Sequence, residues 1–100
     1  MTDDLAARSS LASYLAKSGR GGEALAEADT IDASAGTSQV AYNLALANEL
    51  AGRRARALDL LEVAIQKGHS RREIRNDPYL VNLRADAGFH RRLSGLTENR

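Results

Sequence analysis

Apolar residues recur every three or four positions along the first two thirds of the chain, and short glycine-containing stretches interrupt them. This spacing is typical of amphipathic helices that pack one face on a core. Gly19 and Gly52 each follow a helical run, where a left-handed residue favours the end of a helix. Because the links are short, the pattern predicts two antiparallel helical hairpins. The four predicted helices span about residues 3–18, 23–33, 38–51 and 54–67.

The last third of the chain is predicted to form shorter helices. Asp77 and Pro78 suit the N-cap and the first position of a helix. Asp86 can cap a final helical segment in the same way, as Thr37 or Ser38 can cap the third helix. We therefore expect two or three closing helices within residues 71–94.

Composition supports an all-α class. Of 100 residues, 18 are Ala and 14 are Leu, whereas Val and Ile supply three each. Ala and Leu are strong helix formers, and the β-branched residues that favour strands are scarce. The single Pro leaves long stretches free to remain helical.

Several kinds of chemistry find no support in the sequence. There is no Cys, which excludes disulfides and thiolate ligands, and no apolar run approaches the length of a membrane span. The first four residues do not resemble a signal peptide, so a cytoplasmic location is expected. His69 and His90 lack carboxylates at ligand spacing and are predicted to be surface residues. We expect no metal, no cofactor and no enzymatic activity.

The chain also contains an internal repeat. Shifting the sequence along itself until Leu11 falls on Leu44 superposes helical positions of identical residue type. The same shift places Gly19 on Gly52. The other superposed pairs are Ala12 with Ala45, Ala24 with Ala57, and Leu25 with Leu58. The small alanine side chains would let helices cross closely, while Leu11, Leu44 and Leu61 would fill the space around the crossings.

These residues resemble the tetratricopeptide repeat, a helix–turn–helix unit with a period of about 34 residues. Tyr42-Asn43-Leu44-Ala45, with the later Gly52, Ala57, Leu61 and Ala64, resembles one repeat. The resemblance implies one domain over 1–100, with a weak first repeat at 5–33 and a strong second repeat at 38–67. Residues 71–94 resemble the closing segment of bacterial tetratricopeptide proteins. The implied fold is a right-handed stack of two hairpins plus short C-terminal capping helices.

The resemblance further implies a protein-binding scaffold or adaptor that receives a peptide or helix on the first helices of its hairpins. Tyr42 would be an anchor there, unless the closing helices cover this face. The candidate binding residues are Ser10, Ser13, Lys17, Gln39, Tyr42, Asn43, Leu46, Glu49 and Leu50. Ser9 would line the same face. The opposite end of the stack could instead remain open and drive dimerisation. That end lies around Leu5, Leu15, Ala26 and Ile31.

Charge leaves further alternatives. Residues 1–50 carry three basic and seven acidic side chains, a net charge of −4, and residues 51–100 carry eleven and six, a net charge of +5. Opposite halves of neighbouring chains could therefore pair in a homo-oligomer. Nucleic-acid association through the arginine clusters, or a role as an accessory subunit of an enzyme, are the other functions considered. The arginine clusters are Arg53-Arg54-Arg56, Arg71-Arg72-Arg75, and Arg84 with Arg91-Arg92.

Overall fold

The computed structural model describes residues 4–97, with side chains through Leu93, and confirms the all-α class. No strand occurs in this range. Asp3, predicted to begin the first helix, lies outside it, and Asp4 caps that helix by accepting from the N–H of Ala7 at 3.0 Å. The helices are α1 (Leu5–Lys17), α2 (Gly21–Ala28), α3 (Ser38–Leu50), α4 (Arg54–Gln66), α5 (Arg71–Asn76), α6 (Val81–Arg84) and α7 (Ala87–Thr97), with 3-10 helices at Ala33–Ala35 and Pro78–Leu80.

Glycines end α1, α3 and α4 in the same way. Gly19, Gly52 and Gly68 have φ angles of +83°, +96° and +99°, in the left-handed region that favours glycine. In each case the N–H of the next residue reaches back to a carbonyl in the last turn, which is the Schellman arrangement. The three bonds run from Arg20 to Leu15, from Arg53 to Asn48 and from His69 to Ala64, at 2.8, 2.8 and 2.9 Å.

Replacing Gly52 by Ala should therefore lower the free energy of unfolding by about 1–2 kcal/mol, because a Cβ disfavours positive φ. The space around Gly52 is open, so the penalty comes from the backbone alone. Gly22 also has open space but lies within α2 without positive φ, so Gly22→Ala should raise stability by about 0.5–1 kcal/mol. Urea denaturation measures both. Equal effects of the two substitutions would contradict the left-handed turn.

The boundaries of the first four helices recur at a constant offset along the chain. α1 and α3 each contain 13 residues and begin at Leu5 and Ser38, and α2 and α4 begin at Gly21 and Arg54, the same distance apart along the chain. Nδ2 of Asn43 lies 3.5 Å from Oγ of Ser10, its equivalent in the first hairpin. Equivalent positions of α1 and α3 are therefore neighbours on two adjacent helices.

The core is centred on α3. Every residue from Val40 to Asn48 is buried, because α1, α2, α4 and the 3-10 helix at Pro78–Leu80 surround this helix. The predicted small positions are fully buried and allow close helix approach. These positions are Ala12, Ala24, Ala45 and Ala57.

The second helix is shorter than predicted. α2 begins at Gly21 and ends at Ala28, rather than running from 23 to 33. Thr30 donates its hydroxyl hydrogen to the carbonyl of Glu27 at 2.7 Å, and Asp32 accepts from the N–H of Ser34 at 3.0 Å. These local bonds satisfy backbone groups outside a helix and favour a turn followed by a 3-10 helix.

The predicted caps of the later helices are confirmed. Thr37 accepts from the N–H of Val40 at 3.3 Å, and Asp77 accepts from the N–H of Tyr79 at 2.9 Å, with Pro78 next to it. Asp86 accepts from the N–H of Gly88 at 2.6 Å at the start of α7. α7 then packs on α4 and closes that end of the fold.

Candidate protein-binding surfaces

Polar side chains join α1 to α3 along the face that the sequence assigned to binding. Asn43 donates to Oγ of Ser9 at 3.1 Å and accepts from Nε2 of Gln39 at 3.0 Å. Asn43 and Ser9 are both buried. The amide of Asn43 therefore holds the two helices in register, because a buried polar group needs its hydrogen bonds inside the protein.

Tyr42 is covered by the closing segment. Its side chain is 2% exposed, its hydroxyl donates to Asp77, and its ring stacks on His69 with centroids 4.1 Å apart and planes 14° apart. Burial, and then the hydrogen bond to Asp77, raise the pKa of Tyr42 well above its usual value. Leu46 is also buried. Of the two alternatives that the sequence left open, the closing segment covers the face at Tyr42.

His69 differs from the prediction of a surface residue. It is buried because its ring lies flat on Tyr42, and its Nε2 is 2.9 Å from Oε1 of Glu73 one helical turn later. The sequence gives no signal for this contact, since His69 and Tyr42 are far apart along the chain. His90 is exposed, as predicted.

Part of the α1–α3 face remains accessible at its C-terminal end. We call this part the rim, formed by Lys17, Leu50 and Tyr79. Lys17 Nζ lies 4.7 Å from the ring centroid of Tyr79, and Leu50 occupies the position of α3 equivalent to Lys17. Leu50 and Tyr79 are 37% and 45% exposed.

The nine candidate residues thus fall into three groups by exposure, and their role in binding a protein stays a prediction. Four are buried within the fold: Ser13, Tyr42, Asn43 and Leu46. Four are exposed: Ser10, Lys17, Gln39 and Leu50. Glu49 is partly buried and accepts from Nε and Nη2 of Arg54 at 2.8 Å.

A second surface lies at the outer side of the α1–α2 hairpin. Leu11 is 45% exposed and Tyr14 is 64% exposed, and they border a shallow depression of about 500 Å³. The depression is lined by Leu11, Tyr14, Leu15, Arg20, Glu23, Ala26 and Glu27. We call these seven residues the end surface.

The end surface corrects the expectation that Leu11 packs between helices as Leu44 does. Leu44 is 2% exposed because α3 is packed between the first hairpin and α4. The equivalent side of α1 has no described hairpin packed against it. The open end predicted from the sequence is therefore present, but with different members. Leu15 and Ile31 are buried, Leu5 is partly buried, and only Ala26 of the four predicted residues is exposed.

Several arginines of the basic clusters connect helices of the same chain. Arg53 lies 3.2 Å from Asp29, which links the two hairpins, and Arg54 lies 2.8 Å from Asp86, which links α4 to the start of α7. The N–H of Gly88, together with Arg54, holds the pKa of Asp86 below its usual value. The basic half of the chain is thus partly neutralised internally.

The third arginine cluster has a similar role. Arg92 lies 3.1 Å from Glu62 and also pairs with Asp59, so it joins α7 to α4. Arg84 donates to the carbonyl oxygens of Ile74 and Asp77 at 2.9 and 2.6 Å and holds the closing segment together. These contacts give four arginines of the first and third clusters a structural function, which weakens the argument for nucleic-acid binding through those two clusters.

Within residues 4–97, no helix is long and apolar enough to cross a membrane. In the part whose side chains are described, no three His, Asp or Glu residues are grouped so as to hold a metal ion. Comparison of the chain with protein-family models, curated proteins and solved structures found no match. The resemblance to tetratricopeptide repeats therefore rests on the residues of the chain itself.

Proposed function

We propose that the chain is a tetratricopeptide-like protein-interaction module, a right-handed stack of two hairpins that catalyses no reaction and works in the cytoplasm. The equal lengths of α1 and α3, the equal offset between the starts of equivalent helices and the shared glycine ends support a repeat. Fully buried Ala residues at equivalent positions of both hairpins support it further. Function must still be argued from a site.

The end surface is the observation that carries the proposal. Leu11 and Tyr14 are large, exposed and line the same depression. Single apolar residues are common on protein surfaces, but apolar residues grouped at one place indicate an interaction site. Tyr14 offers a large contact area at a small cost in conformational entropy, and its hydroxyl can hydrogen-bond at the edge of an interface. The arrangement is that of an apolar centre with charged residues around it.

The backbone that carries the end surface is held in place by packing within the chain. α1 packs on both α2 and α3, and Ala12 and Ala16 on its inner side are buried. Because the backbone under Leu11 and Tyr14 is fixed by this packing, binding would order few side chains and retain more of the interaction energy. The rim offers a second, smaller surface, in which Leu50 and Tyr79 are the apolar residues and Lys17 is the charged one.

Site-specific photo-crosslinking tests this function. A photoreactive residue in place of Tyr14 or Leu50 should form discrete adducts with a protein in the native cell, and added unmodified chain should compete with them. The same residue in place of the exposed His90 is the control. If positions 14 and 50 give no adducts beyond those at position 90, the chain is not the interaction module proposed.

A further inference from the structure

The end surface repeats, one hairpin earlier, a surface that the fold already uses to pack helices. Leu44 and Ala47 of α3 and its C-cap residue Ala51 form one stripe, and a methyl group placed on Gly21 of α2 would lie 3.3 Å from Cβ of Ala51. Leu44 and Ala47 are buried. Leu11 and Tyr14 are the α1 equivalents of Leu44 and Ala47, so they form the same stripe one repeat earlier. That side of α1 therefore has the geometry to receive another helical hairpin.

The opposite end of the fold is already occupied. α7 packs on α4, held by Arg54 with Asp86 and by Arg92 with Glu62. Leu58 is 4% exposed, and its Cδ1 would be 3.3 Å from a methyl group on Gly88. A second copy therefore cannot add head to tail through α4 while these helices stay in place. Two copies of the chain can, however, meet through their end surfaces about a two-fold axis, which gives a closed dimer.

The charged groups of the end surface are already paired within the chain. Arg20 lies 2.5 Å from Glu23, and Glu27 lies 3.6 Å from Arg8. A two-fold contact sets each surface against the same surface of the other copy. Because these charges are paired, two copies can approach without strong repulsion between like charges, and the contact relies on the apolar side chains.

The shape of the end surface also allows a two-fold contact. Tyr14 is 64% exposed and lines the depression together with the small, exposed side chain of Ala26. In a two-fold contact, the tyrosine of each copy can enter the depression of the other. Leu11 would be covered in the same contact, which would bury both of the exposed apolar side chains of this surface.

We propose that the end surface binds a second copy of the chain, with Tyr14 of each copy inserted over Ala26 of the other. The proposal rests on the function proposed above and names the partner of that surface. It replaces the pairing of acidic and basic halves that the charge pattern suggested, because Arg53 and Arg54 already pair within the chain.

Sedimentation equilibrium of the full chain over a wide range of concentration tests the dimer. We expect the mass of two chains at high concentration. The Leu11→Ser, Tyr14→Ser double variant should raise the dissociation constant by more than about tenfold, because it removes both anchors. The control is Val81→Ser, which removes an apolar side chain that is 56% exposed from a part of the chain outside the end surface and the rim. This control should leave the dissociation constant unchanged.

Cross-linking adds geometry to the mass. The chain has no cysteine, so single cysteines can be placed freely. A mixture of Tyr14→Cys and Ala26→Cys chains should form a disulfide-linked dimer under mild oxidation, whereas a mixture of Val81→Cys and Ala26→Cys chains should not. A monomer at all concentrations, a dimer unaffected by the Leu11 and Tyr14 substitutions, or mass that grows without limit would each overturn the proposal.

The two proposals fail in different ways. If the chain is monomeric while the photoreactive residue at position 14 captures a different protein, the end surface binds another partner. The second-copy proposal is then wrong, and the interaction module stands. If the chain is monomeric and neither position 14 nor position 50 captures a protein, both proposals are wrong.

Discussion

Replacing Tyr42 by Ala should lower the free energy of unfolding by about 3–5 kcal/mol, a large share of the roughly 5–15 kcal/mol typical of a domain. The ring is fully enclosed between α3 and the closing segment, so its removal leaves a cavity and deprives His69 of its stacking partner. The substitution also leaves Asp77 without the hydroxyl that it accepts from. Urea denaturation followed by circular dichroism measures the loss.

Two controls separate the contributions to this effect. Tyr42→Phe keeps the ring and removes the hydroxyl, so it should cost only about 1 kcal/mol. Tyr14→Ala removes the same atoms from a side chain that is 64% exposed, and in dilute protein it should change stability by less than about 0.5 kcal/mol. Similar losses at positions 14 and 42 would show that Tyr42 is not buried as described.

Replacing Ala45 by Leu should destabilise the chain by about 1–3 kcal/mol or more, because α3 is packed on all sides at this position. A leucine there must displace a neighbouring helix or adopt a strained rotamer. Ala12 is the equivalent residue of α1 and is also fully buried, so Ala12→Leu should cost a comparable amount. Thermal unfolding measures both losses, because each kcal/mol lowers the melting temperature by about 4–8 °C in a chain of this size.

Ala55 provides the matched control for the enlarged alanines. It lies in α4 but is exposed, so Ala55→Leu adds the same atoms without overpacking. Its melting temperature should stay close to that of the unchanged chain, because Leu and Ala have similar helix propensities. If Ala45→Leu is tolerated as well as Ala55→Leu, the close approach of helices at Ala45 is wrong.

Sequence patterns predicted the features of this fold that depend on local geometry. Gly19 and Gly52 could be assigned to helix ends, and Thr37 and Asp77 to caps, because each acts on backbone groups within a few residues. The offset between the starts of α1 and α3, and of α2 and α4, was likewise readable from the superposition of the sequence on itself, since helices that pack alike need similar apolar spacing. The second helix was predicted too long because the segment containing Thr30 and Asp32 was assigned by periodicity rather than by the turns that these side chains form.

The environment of a side chain was less predictable wherever it depends on distant neighbours. Leu11 and Leu44 occupy equivalent positions, yet only Leu44 lies between two hairpins, so one is exposed and the other buried. Tyr42 fits equally well as an anchor for a ligand or as a core residue. The outcome is determined by Asp77, 35 positions later, and by His69. No periodicity within α3 contains that information.

The glycines that end α1, α3 and α4 differ from the end surface in what natural variants would reveal. Gly19, Gly52 and Gly68 have positive φ and open space around them, so their backbone requires glycine whatever the protein binds. Their retention across variants would report on the fold alone. Leu11 and Tyr14 contribute little to the stability of a single chain, and selection for folding would therefore let them drift. Retention of large apolar side chains at positions 11 and 14 across natural variants would therefore be the evolutionary trace of a surface kept for binding.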